Sequence, residues 1–268
     1  HKHRQITTSL MQLFEAKFDP WFDPAADRAA LVDEHANRIR AALEQVSALD
    51  EDRMLRQFLS VLLAVVRTNY YLLDDDPLPS GTPRPGRGAL AFKLSPADLD
   101  FADDRQPKFE LFVYSPQVEG VHLRYGPVAR GGVRWSDRAE DYRTEVLDLV
   151  RAQTVKNAII VPVGAKGGFY PKRLAEVSAA DHVSEGRASY ASYIRALLSV
   201  TDTIVDGQPV HPDRVVAWDD YDPYLVVAAD KGTATFSDLA NQIAVERGFW
   251  LGDAFASGGS DGYDHKPM

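Results

Sequence analysis

The sequence contains no cysteine among its 268 residues. This absence excludes disulfide frameworks, zinc sites built on thiolates and cysteine nucleophiles. It fits a reducing compartment, so we expect a cytoplasmic protein. Long apolar runs are missing as well. The longest strongly apolar stretch, residues 58–66, is far shorter than the ~20 residues that a membrane-spanning helix needs, and we expect no membrane partner.

Basic residues are fewer than acidic ones: the sequence has 30 Lys and Arg and 39 Asp and Glu, which gives a net charge of −9. Nucleic acids bind to basic surfaces, so we expect no nucleic-acid partner. The composition is otherwise that of a globular protein, with 45% hydrophobic residues, which excludes wholesale disorder. The sequence begins with His1 and ends at Met268 without a helix-closing signal. Both ends look cut, and we expect a piece of a longer protein.

Helical patterns dominate the first part of the chain. Apolar residues recur at three- and four-residue spacing, which predicts helices over about residues 8–17, 31–46 and 50–70. A run rich in proline and glycine follows at residues 77–88 and cannot continue a helix. We therefore expect a helical segment (1–76), a linker (77–88) and an α/β domain (89–268).

Strand and helix patterns alternate after the linker. Residues 109–114 and 121–125 predict a hairpin, and apolar runs at 158–163 and 224–229 are typical of strands buried on both faces. Helices are predicted over residues 140–157, 187–200 and 234–247. This alternation predicts an α/β fold: a mixed, partly parallel sheet with flanking helices, preceded by the helical segment.

Two polar side chains directly follow the predicted buried strands. The run at 158–163 leads into a glycine-rich segment, 164–168, which contains Lys166, and the run at 224–229 leads into Asp230. If these strands are parallel neighbours, both residues lie at the carboxyl-terminal edge of the sheet, where ligands bind in open α/β folds. Ordinary polar loop residues are the alternative, and a glycine loop at 164–168 would also suit a phosphate.

Further cationic residues fall at two places. On the helix predicted over 140–157, an apolar stripe leads to Gln153 and Lys156. A lysine there indicates a nearby anion, although a lysine that binds helix carbonyls is the simpler interpretation. Residues 129–135 form a basic glycine turn typical of solvated arginines. The sequence has no G-x-G-x-x-G turn and no P-loop, and its histidines lack metal-binding spacing, so we expect no metal.

Taken together, these segments resemble the large, NAD-specific glutamate dehydrogenases of bacteria. The similarity lies in residues 126–137 (GPVARGGVRWSD), 155–168 (VKNAIIVPVGAKGG), 228–238 (AADKGTATFSD) and 250–259 (WLGDAFASGG). It extends from about residue 51 to the C-terminus. The resemblance implies a substrate domain whose full-length enzyme is a homo-oligomer. It also implies that NAD is bound mainly by a domain beyond residue 268, so the chain alone should be inactive.

The resemblance implies the reaction and its catalytic residues. L-glutamate is oxidatively deaminated to 2-oxoglutarate and ammonia, and a hydride passes to NAD. Lys166, with a pKa lowered by neighbouring cations, acts as the base that activates water. Asp230 moves the proton to and from the substrate nitrogen.

Substrate contacts are implied in the same way. Gln153 and Lys156 bind the α-carboxylate. Arg130 binds the side-chain carboxylate, with Gly131 and Gly132 beside it, although the smaller glutamate dehydrogenases have lysine where Arg130 stands. Arg134 is the alternative for this role.

A second hypothesis is a non-catalytic module that senses amino acids or assembles a larger protein, as the helical N-terminal part suggests. A bound amino acid in contact with Lys156 and Lys166 would favour the enzyme. An empty, collapsed pocket would favour the module.

Overall fold

A computed structural model of the chain describes residues 3–72, 88–100, 106–156 and 164–260. In the helix Tyr142–Lys156, side chains are described as far as residue 152. The predicted strand at 158–163 and nearly all of the predicted linker lie outside these ranges.

Three helices form the N-terminal segment: α1 (Arg4–Phe18), α2 (Arg28–Leu43) and α3 (Leu49–Ala64). Their apolar faces pack into one cluster that buries Leu13, Ile39 and Leu59. At the start of α2, the Asp27 side chain accepts a hydrogen bond from the N–H of Ala30, as an N-cap does. The three predicted helices are confirmed, but the third does not continue to residue 70.

The chain continues from α3 into a strand, β1 (Val65–Thr68). Val65 and Val66 are β-branched and favour extended backbone, which explains why the helix ends before them. β1 pairs with β2 (Leu90–Leu94). The helical segment is therefore attached to the main sheet through its own last residues.

The main sheet has eight strands among the described residues. The remaining ones are β3 (Phe109–Tyr114), β4 (Val118–Arg124), β5 (Gly131–Trp135), β6 (Ala165–Pro171), β9 (Val227–Ala229) and β10 (Ala256–Ser257); β7 (Thr203–Val205) and β8 (Gln208–Val210) form a separate hairpin. The order is β1-β2-β3-β4-β6-β5-β9-β10. Strands β1 to β4 and β6 pair antiparallel, and β6, β5, β9 and β10 pair parallel. The predicted mixed, partly parallel α/β fold is confirmed.

Helices cover both faces of this sheet. α4 (Tyr142–Lys156) lies on one face, and α5 (His182–Ser199) and α6 (Ser237–Glu246) lie on the other. Along β6 the faces alternate, since Gly168 meets Val146 of α4 while Phe169 packs on Tyr193 of α5. We call these the α4 face and the α5 face. No helix in the described ranges is long and apolar enough to cross a membrane.

Two sequence predictions are wrong in this region. The glycine-rich segment 164–168 is not a loop, because residues 165–168 begin β6, and the basic turn at 129–135 is mostly β5. Glycine disfavours strands by propensity, but β6 is hydrogen-bonded on both edges, to β4 and to β5. The N–H groups of this segment are thus committed to the sheet and cannot hold a phosphate, which removes that alternative.

Candidate active site

Lys166 and Asp230 form an ion pair between Nζ and Oδ2. The strand arrangement predicted to bring them together is wrong, because β6 and β9 are not neighbours in the sheet. β5 lies between them, parallel to both, and Lys166 is at the start of β6 rather than at a carboxyl-terminal edge. The lysine side chain reaches Asp230 across Gly132 of β5. The predicted proximity of the two side chains is nevertheless present.

The glycines of β5 make this contact possible. A β-carbon on Gly132 would lie 2.9 Å from the Asp230 β-carbon and 3.1 Å from its Oδ2. On Gly131, a β-carbon would lie 1.4 Å from the Ala165 carbonyl oxygen. Close packing therefore requires glycine at both positions, and contact of Gly131 and Gly132 with substrate stays a prediction.

Asp230 is held in its ionised form. Burial raises its pKa, but hydrogen bonds from Lys166 and from the Lys231 N–H, together with the charge of Arg134, outweigh burial and lower the pKa below its ordinary value. The Lys231 N–H lies 2.6 Å from Oδ1. The backbone of Asp230 is fixed as well, because its N–H donates to Thr233 Oγ1 at 3.0 Å. This arrangement presents a fixed carboxylate that can accept a proton.

Arg134 is engaged by carboxylates of the protein. Its Nη1 donates to Glu145 Oε1 at 2.6 Å, and its Nη2 lies 3.9 Å from Asp230 Oδ1. Ser136 Oγ donates to the other Glu145 oxygen at 2.9 Å. Burial raises the pKa of Glu145, yet these hydrogen bonds and the charge of Arg134 lower it overall. No sequence pattern distinguishes Glu145, because an acidic residue in the first turn of a helix is ordinary.

Arg130 has a different environment. It is exposed, immediately precedes β5, and donates from Nε to the Tyr224 hydroxyl at 2.8 Å. The partner of Arg130 is a phenol hydroxyl and not a carboxylate. Arg130 thus has a neutral partner where Arg134 has two carboxylates. No sequence pattern points to Tyr224, which lies 94 residues away from Arg130.

Gln153 and Lys156 lie in the last turns of α4, and their side chains fall outside the described part of the chain. The buried residues before them are Tyr142, Val146 and Val150. Val150 belongs to the same apolar cluster as Leu123, whose register partner on β6 is Lys166. The helix therefore covers the face that carries Lys166, while carboxylate binding by Gln153 and Lys156 stays a prediction.

A comparison with protein families decides what this chain is. The family model described as bacterial NAD-glutamate dehydrogenase, catalytic domain, matches residues 38–268. The chain belongs to this family. The match includes Lys166, Asp230, Arg130 and the whole of α4.

Curated relatives in the family carry the same description. Proteins named NAD-specific glutamate dehydrogenase are 53% identical in Halomonas elongata and 52% identical in Pseudomonas aeruginosa, each over 99% of this chain. The one from Mycobacterium tuberculosis is 51% identical over 100% of the chain. The chain covers 16%, 16% and 17% of these relatives. It therefore spans about a sixth of their length.

The described residues do not fit a dinucleotide. A dinucleotide-binding turn places several closely spaced glycines between a strand and the helix after it. Within the described ranges, α4, α5 and α6 follow β5, β6 and β9 through loops that contain at most one glycine, Gly232. We assign no residue of this chain to NAD and derive no step through it.

A second group of charges lies on the α5 face, and we call it the buried charge cluster. It comprises three cations and three carboxylates: Arg67, Lys93, Arg124, Asp202, Asp219 and Asp222. Arg67 lies 2.6 Å from both Asp202 and Asp219. Lys93 then connects Asp219 to Asp222, and Arg124 pairs with Asp222. Every charge in the cluster has a partner within it, so the cluster supports the fold.

His122 lies beside this cluster and is fully buried. Neither ring nitrogen has a hydrogen-bond partner in the described part of the chain. Burial, with the nearby charge of Arg124, lowers the pKa of His122 to about 3. The imidazole is therefore neutral in the folded protein.

An apolar cavity of about 780 Å³ lies between the helical segment and the sheet. Its walls come mainly from aromatic and aliphatic side chains of α1, α3, β2 and β3, including Phe14, Phe58 and Phe92. Apart from the Glu110–Arg143 ion pair, few charges reach it. This cavity does not suit a dicarboxylate and is separate from Lys166 and Asp230.

Proposed function

We propose that this chain is the substrate-binding part of an NAD-dependent glutamate dehydrogenase, which converts L-glutamate to 2-oxoglutarate and ammonia. The observation that supports it most directly is the Lys166–Asp230 pair over Gly132, in a chain of this family. NAD would be bound mainly by other parts of the full-length enzyme, where it would supply the acceptor for the hydride that leaves the substrate Cα.

Asp230 and Lys166 divide the proton chemistry between them. Asp230, whose pKa is lowered, accepts a proton from the substrate ammonium and returns it to the departing ammonia. Lys166 activates the water that attacks the imine carbon. Their direct contact lets a proton pass between the two side chains during the cycle.

The two substrate carboxylates need separate cations. We assign the side-chain carboxylate to Arg130, with Gly131 and Gly132 beside it, and the α-carboxylate to Gln153 and Lys156. The neutral partner of Arg130 supports this choice over Arg134, because a guanidinium already paired with Glu145 attracts a further anion less strongly. Arg130 can bind a carboxylate bidentately.

The proposal includes a homo-oligomeric, cytoplasmic enzyme that acts on a small dicarboxylate. The absence of cysteine supports a reducing compartment, and the net charge of −9 argues against nucleic acid as a partner. The family resemblance supports the oligomer.

The decisive experiment measures NADH formation by the full-length protein with glutamate and NAD. We expect turnover that needs both compounds, and none from the 268-residue chain alone. Glutamate binding by the full-length protein without NAD reduction would instead favour the amino-acid-sensing module. Turnover by the isolated chain would show that it contains a nicotinamide site.

A further inference from the structure

The bond between Arg130 and Tyr224 limits the orientation of an exposed cation. A long exposed arginine samples many rotamers, and fixing one of them when a ligand binds costs conformational entropy. The Tyr224 hydroxyl accepts from Arg130 Nε at 2.8 Å. Because this bond uses Nε, a carboxylate can bind Nη1 and Nη2 end-on while the bond persists.

Tyr224 is itself held from within the fold. Arg124 Nη1 donates to the Tyr224 carbonyl at 2.6 Å and to the Pro127 carbonyl at 3.2 Å. One buried guanidinium therefore ties together the backbone that carries Tyr224 and the turn that leads to Arg130. Arg124 is in turn fixed by Asp222 of the buried charge cluster. The separation between Tyr224 and Arg130 is thus set by buried groups that are hydrogen-bonded to one another.

We propose that Tyr224 is a positioning residue that orients Arg130 and thereby sets the preference for substrates with a second carboxylate. This inference rests on the proposed function, in which Arg130 binds the side-chain carboxylate. Tyr224 acts through Arg130 and does not itself take part in the chemistry. Its loss should weaken recognition of the distal carboxylate while the reacting end of the substrate is unaffected.

The test uses the full-length enzyme and two keto acids with the same five-carbon chain. 2-Oxoglutarate has the distal carboxylate, and 2-oxovalerate ends in a methyl group. In Tyr224→Phe, we expect the ratio of kcat/KM for 2-oxoglutarate to that for 2-oxovalerate to fall about fivefold to tenfold, as loss of one positioning hydrogen bond predicts. The change should lie in KM for 2-oxoglutarate, with kcat preserved.

Tyr221→Phe is the matched control. Tyr221 is exposed three residues away, and its ring stacks on His211 with centroids 4.2 Å apart. We expect this variant to keep the wild-type ratio. In an Arg130→Ala background, the ratio should already be low, and Tyr224→Phe should change it no further.

The outcomes separate the inference from the proposed function. If Arg130→Ala loses the preference and Tyr224→Phe keeps it, the positioning role is wrong and the proposed function stands. An equal loss of kcat for both keto acids in Tyr224→Phe also overturns the positioning role. If Arg130→Ala keeps the preference, the assignment of Arg130 fails and the inference fails with it. Absence of glutamate-dependent NAD reduction in the wild type would refute the proposed function itself.

Discussion

The two faces of the sheet pair cations with carboxylates in different ways. In the buried charge cluster, Arg67 and Asp202 have no solvent contact, and each is paired with other members. On the α4 face, the Asp230 side chain is 17% exposed, and Arg130, immediately before β5, is exposed. The comparison teaches that ion pairing alone does not mark a functional site. Access and unused binding capacity distinguish the site from the cluster.

Desolvation explains the difference. Charges that are removed from water must be fully partnered, because an unpaired buried charge is very unfavourable. The cluster meets this condition, and the pKa values of Asp202 and Asp222 stay low: burial raises them, but bonds from Arg67 and Arg124 outweigh it. Under the proposed function the site accepts a dianion, so its cations cannot all be paired within the protein in the same way.

Asp230→Asn in the full-length enzyme should give the largest effect. The substitution keeps the shape and removes the group that moves the proton, so kcat should fall by ~10²–10⁴. Binding of 2-oxoglutarate should change little or tighten slightly, since one negative charge is lost. The measurements are kcat in both directions and equilibrium binding.

The control is Asp213→Asn, at a side chain that is 94% exposed, and it should keep normal kcat. Turnover of Asp230→Asn within a few-fold of wild type would make Asp230 an ordinary residue after a strand. Normal kcat with impaired binding would make it a support for the pocket.

Arg67→Met should act on stability. The substitution removes the guanidinium that pairs with the carboxylates of Asp202 and Asp219 in the protein interior. The free energy of unfolding should therefore fall by about 3–5 kcal/mol. Arg38→Met removes an exposed pair with Glu34 and should cost less than ~1 kcal/mol. Denaturant unfolding measures both. Equal losses in the two variants would contradict the distinction between buried and exposed pairs.

Lys156→Ala and Arg130→Ala should each weaken 2-oxoglutarate binding by ~2–4 kcal/mol, because under the proposed function each leaves one carboxylate of the bound dianion without its cation. Equilibrium binding to the full-length enzyme measures this. If Arg130→Ala binds 2-oxoglutarate normally while Arg134→Ala does not, Arg134 is the residue that binds the distal carboxylate.

At neutral pH His122→Leu should have the smallest effect, and its consequence for stability should show in acid. The folded pKa of about 3 lies below the ordinary 6.5, so between these values the unfolded chain binds a proton that the folded chain does not. Stability therefore falls as pH drops below 6.5, by about 1.4 kcal/mol per pH unit. The variant should lack this slope between about pH 6 and pH 4.5, and match the wild-type slope above pH 7. An unchanged acid slope would show that His122 is not its source.

Much of the fold was predictable because its patterns are local. The hairpin of β3 and β4, the helix α4 and the helix α6 all follow from periodicity within their own residues. β5 and β6 were missed, since Gly131 and Gly168 disfavour strands and are explained only by the atoms packed against them. Those atoms belong to distant segments, and no local pattern contains them.

The proximity of Lys166 and Asp230 was predictable, but the strand arrangement that produces it was not. Each of these residues follows an apolar run in the sequence, which is why both were predicted as site residues. Their side chains form an ion pair in the structure. That β5 separates their strands depends on long-range strand order, which periodicity does not contain. Tyr224 and Glu145 were missed for a related reason, because their partners are defined only by tertiary structure.

The place of β5 between β6 and β9 also makes one contact depend on three strands. Lys166 and Asp230 are 64 residues apart, and their strands are connected in the sheet only through β5. A chain that has folded as far as β6 but has not yet added β9 contains Lys166 without its acid. The Lys166–Asp230 pair is thus a long-range contact that forms late, and under the proposed function a partly folded chain lacks its proton acceptor.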